Sequence, residues 1–217
     1  MLSTLMILPL LGAAFLLFVE KTNYQLVKNF ALFWSLLILN CSVFLLCFFN
    51  PLSWHFQFLE EIHWLFFTNN SIILAVDGLS LLMILLTTFL TPICILLSWT
   101  LKTKNQIKDY NILFLVLESI LIGVFSSLDL LVFYLLFEAV LIPMYFIVGI
   151  FGSRGRKVKA SYLLFLYTLI SSLVMFIAIL FLYVVVHKTI IGCNFRCSFM
   201  HKILKKQHFS VILFFYL

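Results

Sequence analysis

The sequence predicts an all-α fold, a polytopic membrane helix bundle of about six transmembrane helices. Three observations carry that expectation. Of its 217 residues 65% are hydrophobic and only 10% charged, where soluble domains run near 45–50% and 25%. The mean hydropathy is +1.20, which leaves too little polar surface to cover a water-soluble globule, so the bilayer has to act as solvent. The apolar residues fall into six long stretches broken by short polar ones. Soluble enzymes and nucleic-acid binders are thereby excluded.

The expected spans lie at 2–19, 29–49, 78–101, 111–127, 129–151 and 161–186. Each is read as a helix, because a segment in lipid must satisfy its own backbone hydrogen bonds. The first has no basic stretch before it, so it is taken as a span and not as a cleaved signal peptide. The second carries Cys41 and Cys47 and the third Cys94, within apolar runs where cysteine acts as a small hydrophobe. Between the second and third, residues 50–77 form the one long connection. It contains Trp54, His55, Glu60, Glu61, His63, Trp64, Asn69 and Asn70, and suits an interfacial loop with an aromatic belt. Asp77 and Asp129 precede the third and fifth spans and read as helix N-caps. The six spans make one transmembrane domain over 1–186, followed by a divergent basic tail over 187–217. The last apolar run of that tail, 209–217, is too short to cross as a helix.

Charge orients the bundle. Lys21, Lys28, Lys102, Lys104, Lys108, Arg154, Arg156, Lys157 and Lys159 all fall in connections on one side, whereas the other side carries Glu60, Glu61, Asp77 and Asp129. By the positive-inside rule the basic side faces the cytoplasm or an organelle's matrix. The net charge of +6 is thus an orientation signal, and the loop GSRGRKVKA is an anchor for anionic lipid rather than a phosphate-binding loop, since it follows no strand. The tail breaks the pattern with Lys188, Arg196, Lys202, Lys205 and Lys206. Its His187, Cys193, Cys197 and His201 match no common zinc spacing. The richness in Phe, 26 residues against seven Gly, points to an AT-rich coding genome such as an organelle's.

Two carboxylates stand inside spans: Glu118 in the fourth and Glu138 in the fifth. An ionisable group in hydrocarbon is costly and should face protein or water, which makes each a candidate for proton relay or an ion path. A buried, uncharged acid in an interhelical hydrogen bond is the alternative. At 1.5 Å per residue, Glu118 is expected about 12 Å and Glu138 about 20 Å from the basic side, both near mid-membrane. Pro143, five residues after Glu138, deprives the Ala139 carbonyl of its donor and predicts a kink beside the acid.

The segments VDGLSLLMILLTTFLTPICILLSW (76–99), SSLDLLVFYLLFEAVLIPM (126–144) and GSRGRKVKASYLLFLYTL (152–169) closely resemble the N-terminal part of subunit 4 of mitochondrial NADH:ubiquinone oxidoreductase, respiratory complex I, a member of the antiporter-like membrane subunit family. The resemblance runs from about 54 to 183. It implies the N-terminal half of an antiporter-like subunit, in a mitochondrial inner membrane with the basic loops toward the matrix. It further implies a part in proton translocation coupled to electron transfer from NADH to ubiquinone, with Glu138 as the proton-binding residue and Glu118 as relay. The chain itself would do no redox chemistry: NADH, FMN, iron–sulfur clusters and ubiquinone would belong to partner subunits. Its sequence has no haem-ligand histidines within the spans, no Rossmann glycine fingerprint and no cysteine framework for a cluster.

The family's subunits have about fourteen spans, and they pair the fifth-helix glutamate with a lysine on a broken seventh helix. Six spans end before that lysine, which implies a second polypeptide supplying the missing helices. Two other readings stand beside the pump: a structural or assembly scaffold of the membrane arm that has lost pumping, and a cation/proton antiporter subunit.

Overall fold

Among the described residues, six helices and one β-hairpin follow each other: α1 (Leu2–Phe18), α2 (Tyr24–Phe48), β1 (Gln57–His63), β2 (Ser71–Val76), α3 (Gly78–Leu97), α4 (Lys104–Ser126), α5 (Leu130–Phe151) and α6 (Lys157–Gly192). A single 3-10 turn, Ser98–Thr100, extends α3. The structure, a computed structural model, describes residues 1–19, 23–50, 55–63, 71–100, 104–152 and 155–192, with the α6 side chains described as far as Phe181. The tail beyond 192, with Cys193, Cys197 and His201, lies outside the described residues, as does the His187 side chain. Among the described residues five helices, α2 to α6, are long and apolar enough to cross a membrane, and α1 is a shorter apolar helix. The chain is a multi-pass membrane protein.

The helices start earlier than hydropathy marks them. α2 begins at Tyr24, α4 at Lys104 and α6 at Lys157, where apolar spans were expected from 29, 111 and 161. A polar first turn reads as a connection on a hydropathy scale, yet the backbone there is already helical. Lys108 is the clearest case. Expected in a basic connection, it sits on α4, buried, and its Nζ donates to the carbonyls of Leu17 (2.9 Å) and Val19 (2.6 Å) at the end of α1. A cation at a helix C-terminus satisfies carbonyls that have no intrahelical donor and offsets the negative end of the helix dipole.

α4 is the centre of the bundle, packed against α1, α2, α3 and α5, while α6 packs on α5 at the edge. The main core joins α1–α4 through Leu5, Leu16, Ile38, Ile84, Leu115 and Ile122. A smaller one gathers Val124, Phe133, Tyr134 and Met175 from α4, α5 and α6. Between apolar helices in lipid there is little hydrophobic driving force, so close approach and hydrogen bonds hold the pairs. At Gly12 of α1 a Cβ would lie 2.2 Å from Trp34 Cδ1, so only glycine admits the indole of α2 there. The seated ring donates from Nε1 to the Leu8 carbonyl at 2.8 Å and stacks on Phe30, which stacks on Phe15.

The connection 50–77, expected as a loop, contains an antiparallel hairpin. Gln57 pairs with Val76 and Glu60 with Leu74, so Phe58 and Leu59 together oppose Ala75, a bulge in which Phe58 takes a φ of 55°. Bulges re-aim side chains. Here Glu60 reaches the start of α1: Oε1 accepts from the Met1 ammonium and from Leu2 N (3.0 Å), and Oε2 from Ser3 N (2.9 Å). Partial burial works against ionisation of Glu60, but the ammonium and the Ser3 hydroxyl and N–H outweigh it and hold the carboxyl down to about 2 from an ordinary 4.5.

Asp77 caps α3 as expected, accepting from Gly78 N at 2.7 Å while Ser80 Oγ accepts from Asp77 N. Asp129 differs. It occupies the N-cap position of α5 without capping it, and its Oδ2 accepts from Ile73 N of β2 at 3.0 Å instead. Leu128 N donates to the Ile73 carbonyl and Leu74 bridges Ser127, so the α4–α5 turn is stitched to the hairpin.

Candidate functional site

The buried stripe of α4 recurs at helical spacing, with Lys108, Asn111, Leu115, Glu118, Ile122 and Ser126 all buried. Three of the six are strongly polar. Glu118 is 0% exposed; its Oε1 accepts from the Thr91 hydroxyl of α3 at 2.9 Å, and its Oε2 has no partner among the described residues. Asn111, two turns toward the basic side, is 0% exposed as well, and among the described residues neither its amide nitrogen nor its carbonyl oxygen has one. On α3, Thr88 Oγ1 lies 2.8 Å from Ser42 Oγ of α2, so hydroxyls tie α2 to α3 one turn from Thr91. Ser119, beside Glu118, donates to the Met6 carbonyl of α1 at 2.5 Å.

Glu138 occupies the edge of the bundle. It is half-buried, with its neighbour on the same helix face, Tyr134, hydrogen-bonded to it and to Ser172 of α6. Tyr134 is buried and stacks on Phe176 with centroids 4.8 Å apart. Pro143 is buried within α5, which continues as one helix through it to Phe151. Its missing N–H leaves the Ala139 carbonyl, next to Glu138, without its usual donor.

The two acids turn out to share one depth. Glu118 stands eight residues before the end of α4 at Ser126, and Glu138 eight residues after the start of α5 at Leu130. Each is therefore about 12 Å from the hairpin side. The early start of α4 places Glu118 about 21 Å, not about 12 Å, from the basic end of its helix. Their hydrogen bonds run to different helices, that of Glu118 to Thr91 of α3 and that of Glu138 to Tyr134 of its own α5, and among the described residues no hydrogen bond or ion pair joins them. Among the described residues neither acid has an ion pair with a cation.

Some of this was within reach of the sequence. Lys108 and Asn111 lie ten and seven residues before Glu118, and Tyr134 four before Glu138, all on the same faces by the 3.6 period. Thr91 and Ser172 come from other helices and are found only once α3 and α6 are docked.

The family described as NADH:quinone oxidoreductase/Mrp antiporter, TM, matches residues 127–216, a stretch that begins at the α4–α5 turn and includes Glu138 and Pro143. The chain is similar to NADH-ubiquinone oxidoreductase chain 4 of Marchantia polymorpha, 47% identical over 84% of this chain and 37% of that one. It is similar to the protein of the same name from Arabidopsis thaliana, 46% identical over 82% of this chain and 36% of that one. Among solved structures it resembles a chain of the respiratory complex I from Thermus thermophilus with bound NADH, with a TM-score of 0.66 at 25% identity over 83% of this chain and 35% of that one. This chain thus spans little more than a third of the length of the relatives it matches.

Proposed function

We propose that this chain belongs to the antiporter-like family of NADH:quinone oxidoreductase membrane subunits and forms the N-terminal part of the proton-translocating subunit 4 of respiratory complex I, a reading supported by its similarity to that family over 127–216 and to NADH-ubiquinone oxidoreductase chain 4 proteins. The observation that carries this reading is the pair of carboxyl groups held at one depth inside the bundle, Glu118 sealed and Glu138 at an open edge. A carboxylate in hydrocarbon is expensive, so a proton and a hydrogen-bonding neighbour are the cheapest company for it. Glu138 is assigned the proton-binding role, with Tyr134 holding its carboxyl group and itself bonded to Ser172. Glu118 is assigned the relay role. Pro143 is assigned the part of leaving a bare carbonyl at Ala139, an acceptor for water beside Glu138.

The chain does no redox chemistry in this reading. NADH, FMN, iron–sulfur clusters and ubiquinone belong to partner subunits, and the other membrane-arm subunits are its neighbours. The half-buried Glu138 and the largely uncovered α6, the least buried of the spans, support a bundle continued by further helices. Those helices, about two thirds of the relatives' length, carry whatever cation the two acids face. The membrane is the mitochondrial inner membrane, with Lys157, Arg156 and Lys159 on the matrix side against anionic phospholipid.

Glu138→Gln tests the assignment. In vesicles holding the complex it should suppress coupled quinone reduction and proton uptake while leaving NADH oxidation by a hydrophilic electron acceptor intact. Undiminished coupling removes Glu138 from the path. One observation favours the scaffold reading: no described span carries a cation at the depth of the acids. That reading expects Glu138→Gln to be silent and loss of α5 and α6 to prevent assembly. Sodium-dependent exchange in vesicles lacking the other subunits would instead favour a cation/proton antiporter.

A further inference from the structure

Thr91 precedes Pro92 on α3, and Pro92 has no N–H to give the carbonyl four residues back, that of Thr88. The Thr91 hydroxyl lies 3.2 Å from that carbonyl and 2.9 Å from Glu118 Oε1. Serine and threonine hydroxyls commonly bond back along a helix, and Thr87 does so to Ile84. The Thr91 case differs in two respects. Its carbonyl has lost its amide donor, and its oxygen has a second, ionisable neighbour.

A hydroxyl carries one hydrogen, so it cannot serve both acceptors at once. When Glu118 is ionised it can only accept, and the hydrogen is drawn to the carboxylate, because bonds to a charged group are about twice as strong as neutral ones. The Thr88 carbonyl is then bare. When Glu118 is protonated, its own O–H can donate to the Thr91 oxygen, and the Thr91 hydrogen is released to the Thr88 carbonyl. The Thr91 hydroxyl, the Thr88 carbonyl and Glu118 Oε1 are then all satisfied.

We propose that Thr91 is the positioning residue of the Glu118 proton site, its hydroxyl hydrogen turning from the Glu118 carboxylate to the Pro92-freed Thr88 carbonyl when Glu118 takes up a proton. This rests on the reading of Glu118 as a residue that gains and loses protons. The balance is simple: one O–H bond forms on Glu118 as one O–H bond of a hydronium ion breaks and leaves neutral water, and the Thr91 hydrogen stays on its oxygen and rotates about the C–O bond.

Among the described residues no hydrogen bond or ion pair links a second charged group to Thr91 or Glu118. α1 and α3 carry no charged side chain within their helical spans, and their titratable group is Cys94, which faces Tyr110 of α4. α2 carries Lys28, whose ammonium lies over Tyr24 and Trp99, together with Cys41 and Cys47. α4's own Lys108 is engaged with α1, its Asp109 lies one residue further along in the same early turns, and α5 brings Tyr134, Glu138 and Tyr145, the first two bonded to each other.

The test is infrared difference spectroscopy on the membrane-embedded complex stepped across pH, with Glu118→Gln used to identify the Glu118 carboxyl stretch. In Thr91→Val the protonated acid loses its acceptor, and the band should move to higher wavenumber. Thr91→Ser should return it. In Pro92→Ala an N–H is restored to the Thr88 carbonyl, so the Thr91 hydrogen falls back on the acid and the band should move to lower wavenumber. Opposite displacements in the two variants, with rescue by serine, support the switch; a purely structural Thr91 would not produce them. A band present in the wild type but unmoved in both variants overturns the switch and leaves the relay reading standing. If no Glu118-dependent band is found at any pH, Glu118 takes up no proton and both fall. If Thr91→Val prevents assembly, Pro92→Ala carries the test by itself.

Discussion

Gly12→Ala should loosen the α1–α2 pair far more than one methyl group ordinarily does. The new Cβ would sit 2.2 Å and 2.3 Å from Trp34 Cδ1 and Nε1, well inside contact distance, and 2.9 Å from Cγ. The indole has to leave its seat. Overpacking of this kind costs about 1–3 kcal/mol, and loss of the Trp34–Leu8 hydrogen bond adds about 1 kcal/mol. The expected total is about 2–4 kcal/mol. With the ring removed in Trp34→Leu there is nothing to strike, so Gly12→Ala on that background should cost less than about 1 kcal/mol, a coupling typical of residues in direct contact. Site-resolved alkylation checks this in the intact complex. Cys41, half-buried on α2, should become reactive at a lower temperature in Gly12→Ala, with exposed Cys47 as the internal reference. Equal shifts in both backgrounds would refute the seat, and so would no shift at all.

Two further outcomes follow from charges placed at helix ends. Lys108→Met removes the donor to the Leu17 and Val19 carbonyls and should destabilise the α1–α4 contact by about 2–4 kcal/mol, since bonds from a charged donor contribute about 1.5–3 kcal/mol each and are not additive; an unchanged alkylation temperature at Cys94 would count against it. Glu60, its carboxyl held at about 2 instead of 4.5, contributes stability that is present above 4.5 and lost as the pH falls toward 2. Glu60→Gln should therefore melt earlier at neutral pH and lack the wild type's extra acid sensitivity across that window, as followed by circular dichroism in detergent.

The six helices were legible because lipid demands long apolar segments, and each span announces itself without reference to its neighbours. Their ends were not. A scale that reads transfer into hydrocarbon is blind to the start of α4, where Lys108 is charged yet faces inward. The hairpin escaped for a related reason: QFLEEIH has no clean alternation, since the bulge at Phe58 breaks the period of two that marks a strand. Asp129 reads as a cap from sequence because it precedes a helix, and only the docked β2 strand reveals the better donor at Ile73. Glu118 and Glu138 were visible as single residues in apolar runs, whereas their surroundings, Thr91 and Ser172, belong to tertiary structure.

The stitched turn between α4 and α5 has a consequence for how this part of the chain tolerates change in length. Ser127, Leu128 and Asp129 are each held by β2, so the turn cannot absorb an extra residue by bulging outward. An insertion or deletion anywhere between Glu118 and Glu138 would have to be taken up within a helix, sliding one acid by about 1.5 Å and swinging it by about 100° away from its neighbours. Point substitutions in this region can be graded in effect, but changes of register cannot. The twenty-residue interval that separates the two glutamates in the chain acts as a measured length, and the hairpin is the stop against which it is set.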